Sequence, residues 1–377
     1  MRRIFYFGII LFFICADLSA QLTVSGLLDS TVSFNAGAGD SQDFSFGIEE
    51  FANIRFQSRI RDHAVVYGAV NLIAASGSFA AAAQAQALHG NDSPLAVTSY
   101  TAGDNFIGAI ELERLYFRLN GEHLDFDGGL MRLPFGYGQV WKSSDFLNPR
   151  NPLKPDARPR GILAASLTWF PIDELKLLAF YTAPRDAFSS DSSGSLFGLS
   201  IDRHWTNASL QALYSYETPA EITPQGIHRA GLSFKADIEV GIYLDALYTY
   251  NHKARTEWDG LSFSAGIDYS FFKGNLIVLA EYLYNGETSS TAFDIEKNPL
   301  GLPSKHCVYT SLTFSFNDFT SLSAAFVYSH DIVSYTPVLT FTHQLFQGAT
   351  LIVTAQVPFD NDSFYGVNCT ARVRLRF

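Results

Sequence analysis

The final eleven residues constrain the fold more than any other stretch of the chain. From Val367 to Phe377 the odd positions read Val, Cys, Ala, Val, Leu, Phe. The even positions are Asn368, Thr370, Arg372, Arg374 and Arg376. A period of two this strict makes a β-strand with one apolar and one strongly charged face. In a soluble sandwich the charged face would meet water outside. In a membrane barrel it faces the lumen and the apolar face meets lipid.

The same code runs through the chain. Eighteen segments carry it: 22–34, 51–61, 63–74, 108–119, 123–132, 161–170, 174–183, 195–204, 207–217, 227–236, 240–250, 261–272, 275–285, 306–316, 319–330, 333–345, 349–359 and 366–377. Most have about the 9–11 residues that cross a bilayer at a tilt. Their connections alternate in length. Tight turns fall at Asp62, Asn120-Gly121-Glu122, Pro171-Ile172-Asp173, Lys273-Gly274 and Asn317-Asp318, whereas 75–107, 133–160 and 286–305 are long. Short turns at one end and long loops at the other fit an outer-membrane barrel, and a sandwich has no reason to sort its loops so. The expectation is an all-β, transmembrane, antiparallel up-and-down β-barrel of about eighteen strands, with sixteen also open.

Aromatic residues, 15% of the chain, gather at both strand ends. Tyr181, Tyr216, Tyr250, Tyr284 and Tyr328 end alternate strands just before a loop, within Ala-led repeats spaced 33, 34, 34 and 44 residues apart. Trp169, Trp205, Phe346 and Phe377 lie by the tight turns. Rings at both heights suit the two interfaces of a lipid bilayer. An alternating last strand with a terminal aromatic resembles the signal read by the barrel-assembly machinery of bacterial outer membranes. That resemblance implies this machinery as a partner through Phe377.

Residues 1–20 read as a cleavable signal peptide, leaving 21–377 as a single barrel domain. Arg2 and Arg3 precede an apolar Ile4–Ile14, and Leu18-Ser19-Ala20 offers a small residue at the cut. Cys15 admits a lipid anchor, but the preceding Ile14 is larger than such a site normally carries. Removing Arg2, Arg3 and Asp17 takes the chain from 26 basic and 37 acidic residues to 24 and 36, a net charge of −12. That balance argues against nucleic acid as a partner. Cys307 and Cys369 fall on opposite faces of their strands, which disfavours a disulfide. No metal spacing, G-x-S-x-G elbow or cofactor motif is present, so neither an enzyme nor a cofactor is expected.

The informative chemistry is basic residues at inward phases. Arg55, Arg59 and Arg61, then Arg114 and Arg118, then Arg372, Arg374 and Arg376 share phases opposite their apolar neighbours. Barrel closure gathers these eight arginines into one sector. They either line a water-filled lumen as a ladder for anions, as charged rings do in pores, or pair with carboxylates and brace the wall.

One stretch resembles a known family. Glu113-Arg114-Leu115-Tyr116-Phe117 is followed by Gly128-Gly129-Leu130-Met131-Arg132-Leu133-Pro134-Phe135-Gly136-Tyr137-Gly138, then Trp141, Asp145, Asn148-Pro149, Arg158 and Arg160-Gly161. Over about fifty residues this resembles porin-like outer-membrane proteins of diderm bacteria. The resemblance implies a pore whose long early loop folds inward, with Arg132, Asp145, Arg150, Arg158 and Arg160 as constriction candidates. A loop packed outside on the rim is the alternative. Passive diffusion of small polar or anionic solutes is the expected function. A surface adhesin or structural barrel, a fatty-acid-type transporter and a homo-oligomer of barrels stay open. The Ala- and Gln-rich stretch 79–88 suits a short helix.

Overall fold

A computed structural model describes residues 21–37, 44–60, 63–80, 96–101, 105–148, 161–184, 194–220, 225–250, 259–286, 304–360 and 363–377. The signal-peptide residues 1–20 and most of 79–88 lie outside them; the described part of the latter, 79–80, is helical.

The chain forms a closed antiparallel barrel of eighteen strands. They are β1 (Gln21–Gly37), β2 (Phe44–Ile60), β3 (Ala64–Gly77), β4 (Phe106–Asn120), β5 (Leu124–Met131), β6 (Ile162–Ile172), β7 (Leu175–Thr182), β8 (Leu196–His204) and β9 (Ala208–Glu217). The second half is β10 (Ile227–Asp237), β11 (Gly241–Tyr250), β12 (Leu261–Phe271), β13 (Leu276–Asn285), β14 (His306–Asn317), β15 (Thr320–Ser329), β16 (Ser334–Phe346), β17 (Ala349–Gln356) and β18 (Gly366–Arg376). Each barrel strand pairs with its chain neighbours, and β1 closes the sheet against β18. Three short extra strands, Ala96–Thr101, Phe359–Asp360 and Ser363–Phe364, decorate the loop end.

β8 shows why the sheet belongs in a bilayer. Phe197, Leu199 and Ile201 point outward with half or more of their surface exposed, while Ser200 and Asp202 point inward and are almost fully covered. A soluble protein would reverse this. In hydrocarbon the apolar face is at home, and closure leaves no strand edge with unpaired backbone groups.

The strand boundaries differ from the sequence reading in one place. β1 runs three residues and β2 seven residues farther toward the loop end, pairing up to Ala36↔Phe44. Phe34, Phe44, Phe46 and Ile48 continue the outward apolar phase across Gly47. The Ser- and Gly-rich composition had suggested a loop there. β-ladder pairing with β3, from Gly47↔Gly77 onward, overrides that local preference.

The seam joins the two ends of the chain. Leu27↔Arg376 through Gly37↔Gly366 form its ladder. Beyond that ladder the Gly26 and Phe377 backbones exchange hydrogen bonds of 2.7 and 3.2 Å. The Phe377 ring lies over Gly26, where an added Cβ would come within 2.2 Å of it. On the lumenal side, Arg374 makes a two-pronged ion pair with Asp29, both bonds 2.8 Å. This pair is nearly enclosed, with side chains 14% and 8% exposed. Arg374→Gln strands the Asp29 carboxylate and is expected to destabilise the barrel by on the order of 3 kcal/mol. Arg376→Gln, at an exposed terminus, is expected to be near neutral. The temperature at which the folded band disappears in unboiled gel electrophoresis reads both; equal behaviour of the two variants contradicts the brace.

Candidate pore lumen

Two opposite walls of the barrel carry its polar chemistry. The first is the inner face of β2–β4. Register aligns Arg55, Ala69 and Arg114 as cross-strand partners, then Gln57, Tyr67 and Tyr116, then Arg59, Val65 and Arg118. The result is a patch with arginines at four corners and a tyrosine pair between them, ring centroids 5.4 Å apart. Ala69, fully covered, leaves room between Arg55 and Arg114. These two strand positions lie about 10 Å apart, two strand spacings.

A β-bulge shapes the upper edge of this patch. Ala69 pairs with Arg114 but Val70 pairs with Leu112, so Glu113 is an extra residue in β4. Its buried carboxylate accepts from Asn53 Nδ2 at 2.6 Å and from Arg132 Nη2 at 3.0 Å, and lies 3.5 Å from Arg114 Nε. Asn53 also donates to Asn71 at 2.6 Å and accepts from Arg55 Nε at 2.7 Å, and Asn71 donates to Glu111 at 3.2 Å. This network holds the bases of the arginines.

The inward arginines therefore divide. Arg118 is held by Asp127 at 2.6 and 3.1 Å, Arg374 by Asp29, Arg132 by Glu113, and Arg372 donates from Nε to Thr31 at 3.1 Å. Arg59 and Arg376 are exposed and have no ion-pair partner among the described residues. Arg55 makes its one recorded bond through Nε, and Arg114 keeps a buried Nε without a hydrogen-bond partner. Arg61, Arg150, Arg158 and Arg160 lie outside the described residues.

The second wall, on β7–β14, holds a loop inside the barrel. Register sets Lys176, Asp202, Gln211, Ser233, Asp245, Ser264, Leu283 and Cys307 as successive cross-strand partners, one inner line across eight strands. The loop after β5, residues 132–148, lies along it. Gly136 N–H donates to Gln211 at 2.8 Å; Tyr137 and Gly138 N–H donate to Asp245 at 3.0 and 2.9 Å. The N–H groups of Gln139, Val140 and Trp141 donate to Glu281 at 3.3, 3.0 and 2.8 Å. Ser144 and Ser233 share a bond of 2.7 Å, and Ser264 donates to the Trp141 carbonyl at 3.1 Å.

Two carboxylates thus collect five backbone donors that a loop inside a barrel would otherwise leave unpaired. Glycines make this approach feasible. Gly136 has φ +79°, and a Cβ there would lie 2.7 Å from Asp245 Oδ2. A Cβ on Gly138 would strike the Trp141 carbonyl oxygen. Apolar packing fixes the rest. Phe135, Phe146 and Leu133 pack on Leu178, Phe180 and Leu213 of the inner wall, and Trp141 packs on Leu283 and Cys307. Burying Phe135 alone contributes about 2–3 kcal/mol. Arg229 stacks over Phe146 at 4.9 Å while paired with Glu217 at 2.9 Å. Burial beneath the loop, then the charge of Asp202, pushes the Tyr137 phenol upward, so it stays a donor to Asp202 at 3.4 Å.

Asp145, a constriction-loop candidate, lies in the loop inside the barrel; it is 3% exposed and accepts from the Asn148 N–H at 3.2 Å, closing its own turn. Sequence reasoning missed Asp202, Asp245 and Glu281. Their signal was present: each is an acid at an inward phase of its strand, in β8, β11 and β13.

The belt residues face outward. Trp169, Trp205 and Phe377 are at least half exposed at the turn end. At the loop end Tyr181 stands beside Phe197, and Tyr216, Tyr250, Tyr284 and Tyr328 stand beside His228, His306 and His330. Cys307 is buried on the inner face and Cys369 pairs beside outward Phe34; both are free thiols.

No protein-family model matches the sequence, and no curated protein does. Solved structures share its fold across nearly its whole length. OccAB4 of Acinetobacter baumannii superposes with a TM-score of 0.59 at 10% identity, covering 96% of this chain and 99% of its own. A BenF-like porin from Pseudomonas fluorescens Pf-5 gives 0.58 at 9% identity, covering 95% and 98%. The outer membrane protein OpdK of Pseudomonas aeruginosa gives 0.57 at 9%, covering 95% and 98%. The fold is that of a porin-like barrel.

Glu281→Gln removes one charged acceptor from three N–H groups and is expected to loosen the loop by about 1.5–3 kcal/mol. In a variant with Trp169, Trp205 and Trp258 replaced by Phe, acrylamide quenching of Trp141 is expected to rise. Unchanged quenching contradicts the clamp.

Proposed function

We propose that this barrel is an outer-membrane channel for passive diffusion of small polar or anionic solutes, performing no chemistry and needing no cofactor. The observation that carries this reading is the opposition of the two inner walls. β2–β4 and β11–β13 are nine strands apart in an eighteen-strand ring, so they face each other across the lumen. The loop 132–148 occupies the second wall and spends that wall's carboxylates on its own backbone. The first wall keeps Arg55, Arg59 and Arg114 toward the lumen.

A barrel of this strand number is too wide for wall side chains alone to fill. A loop held on one side and cations on the other would narrow it into a passage that favours anions. Arginines on the inner wall suit polar solutes better than fatty acids. The porin fold of the structural neighbours supports the same reading. Export through a cleaved signal peptide at 1–20 and insertion by the barrel-assembly machinery through Phe377 belong to the proposal.

Planar-bilayer recording of the refolded protein tests it. Discrete, stable openings with anion preference are expected. Replacing Arg55, Arg59 and Arg114 together with Gln is expected to lower the anion-to-cation permeability ratio. The loss is about 0.5–1 kcal/mol per charge in a hydrated lumen, or roughly two- to five-fold each. A folded barrel that never conducts overturns the channel; an unchanged reversal potential in the triple variant overturns the arginine filter.

A further inference from the structure

On the outer face of β13–β15, at the loop end, the tyrosine belt opens into a cleft of about 380 Å³. Tyr282, His306, Val308, Tyr328 and His330 line it. Register places four of them on the lipid-facing phase: Tyr282↔Val308, Tyr284↔His306 and Val308↔Tyr328 are cross-strand pairs, and Val308 is exposed outward. His330, exposed just past β15, donates its N–H to the His306 carbonyl at 2.9 Å. The inner phase of the same strands carries Leu283, Cys307 and Ser329, all buried.

The imidazoles are oriented by phenols. His306 Nδ1 lies 2.7 Å from the Tyr282 hydroxyl, and His330 Nδ1 lies 3.4 Å from that of Tyr328. The Tyr284 ring stands beside His306 at 5.2 Å. A neutral imidazole that accepts at Nδ1 carries its proton on Nε2, and a protonated one donates from both. In either state Nε2–H is a donor. The two rings meet edge-on with centroids 6.3 Å apart, close enough for one tetrahedral oxyanion to bridge both donors at hydrogen-bond distances of about 2.8 Å.

The charges around the cleft are accounted for. The Asp331 carboxylate accepts from Ser304 Oγ and from the backbone N–H groups of Lys305 and His306 at 2.7, 2.6 and 3.0 Å. Lys305 Nζ is paired with Asp259 at 3.3 Å. Asp331 is thus committed to the loop backbone beside His306.

We propose that this cleft binds the phosphate of a lipid headgroup in the loop-end leaflet. Phosphate oxygens would accept from His306 and His330, and an acyl chain would run down the apolar wall below Val308. A lipid is the occupant because the donors sit where the apolar wall ends and phosphates of a bilayer lie. The inference rests on the membrane-spanning reading and is independent of conduction.

The test uses the full barrel refolded in phosphatidylcholine vesicles with or without phosphatidic acid, then released into detergent for native mass spectrometry. Preferential retention of phosphatidic acid is expected, with about five- to ten-fold less in the His306→Gln/His330→Gln double variant, consistent with loss of charge-assisted bonds. Tyr282→Phe, which removes only the orienting hydroxyl, is expected to fall between. All three positions face outward, and heat-modifiability of each variant reports folding. Equal retention by wild type and the double variant overturns the site. Competition by millimolar inorganic phosphate as effective as that by soluble short-chain phosphatidic acid overturns the assignment to lipid.

Discussion

In hydrocarbon, every backbone N–H and C=O must find a partner within the protein. A sheet meets that demand only when its last strand returns to its first. The β1–β18 ladder therefore sets the remaining geometry. It fixes the ring at eighteen strands, turns period-two side chains into an inner and an outer face, and brings Asp29 to Arg374 across 345 residues of sequence. The same rule governs the loop inside the barrel. Backbone that leaves the wall and enters the lumen must be paired again, and Asp245, Glu281 and Gln211 do this for six consecutive residues, Gly136 to Trp141.

This division explains why the two walls differ in charge. An inward carboxylate that accepts several N–H bonds offers little to a passing cation. An arginine held through one nitrogen still presents donors to the lumen. The net negative charge of the chain is thus compatible with a locally basic passage. Part of the acid is bound to loop backbone, and part, at Asp29, Glu113 and Asp127, steadies the arginines. Bracing and lining are both present, on different residues of one sector.

The wall was legible in the sequence because its code is local. Alternation over ten residues declares a strand, and a two- or three-residue interruption declares a turn. The limits were equally physical. The upper ends of β1 and β2 are rich in Gly and Ser, and cross-strand pairing keeps them extended: β1 with β2 and β18, and β2 with β3 from Gly47. The bulge at Glu113 depends on register against Ala69 and Val70, which no single strand encodes. The clamp joins Tyr137–Trp141 to residues more than a hundred positions away. Inward arginines stood out as unusual, whereas inward Asp245 and Glu281 looked like ordinary lumenal polarity until the loop was seen to need acceptors.

Sequence spacing and spatial role are linked most closely at Gly136 and Gly138. A side chain at either would collide with Asp245 or with the loop's own backbone. Their bare Cα atoms let the peptide lie flat against the wall, so the approach distance, not turn flexibility alone, accounts for two glycines around Tyr137. Tyr137 then reaches Asp202, three steps from Asp245 along the same inner line. The Pro-Phe-Gly-Tyr-Gly segment is in this sense part of the wall's register. It repeats, in a loop, the donor and acceptor matching that the strands make with one another.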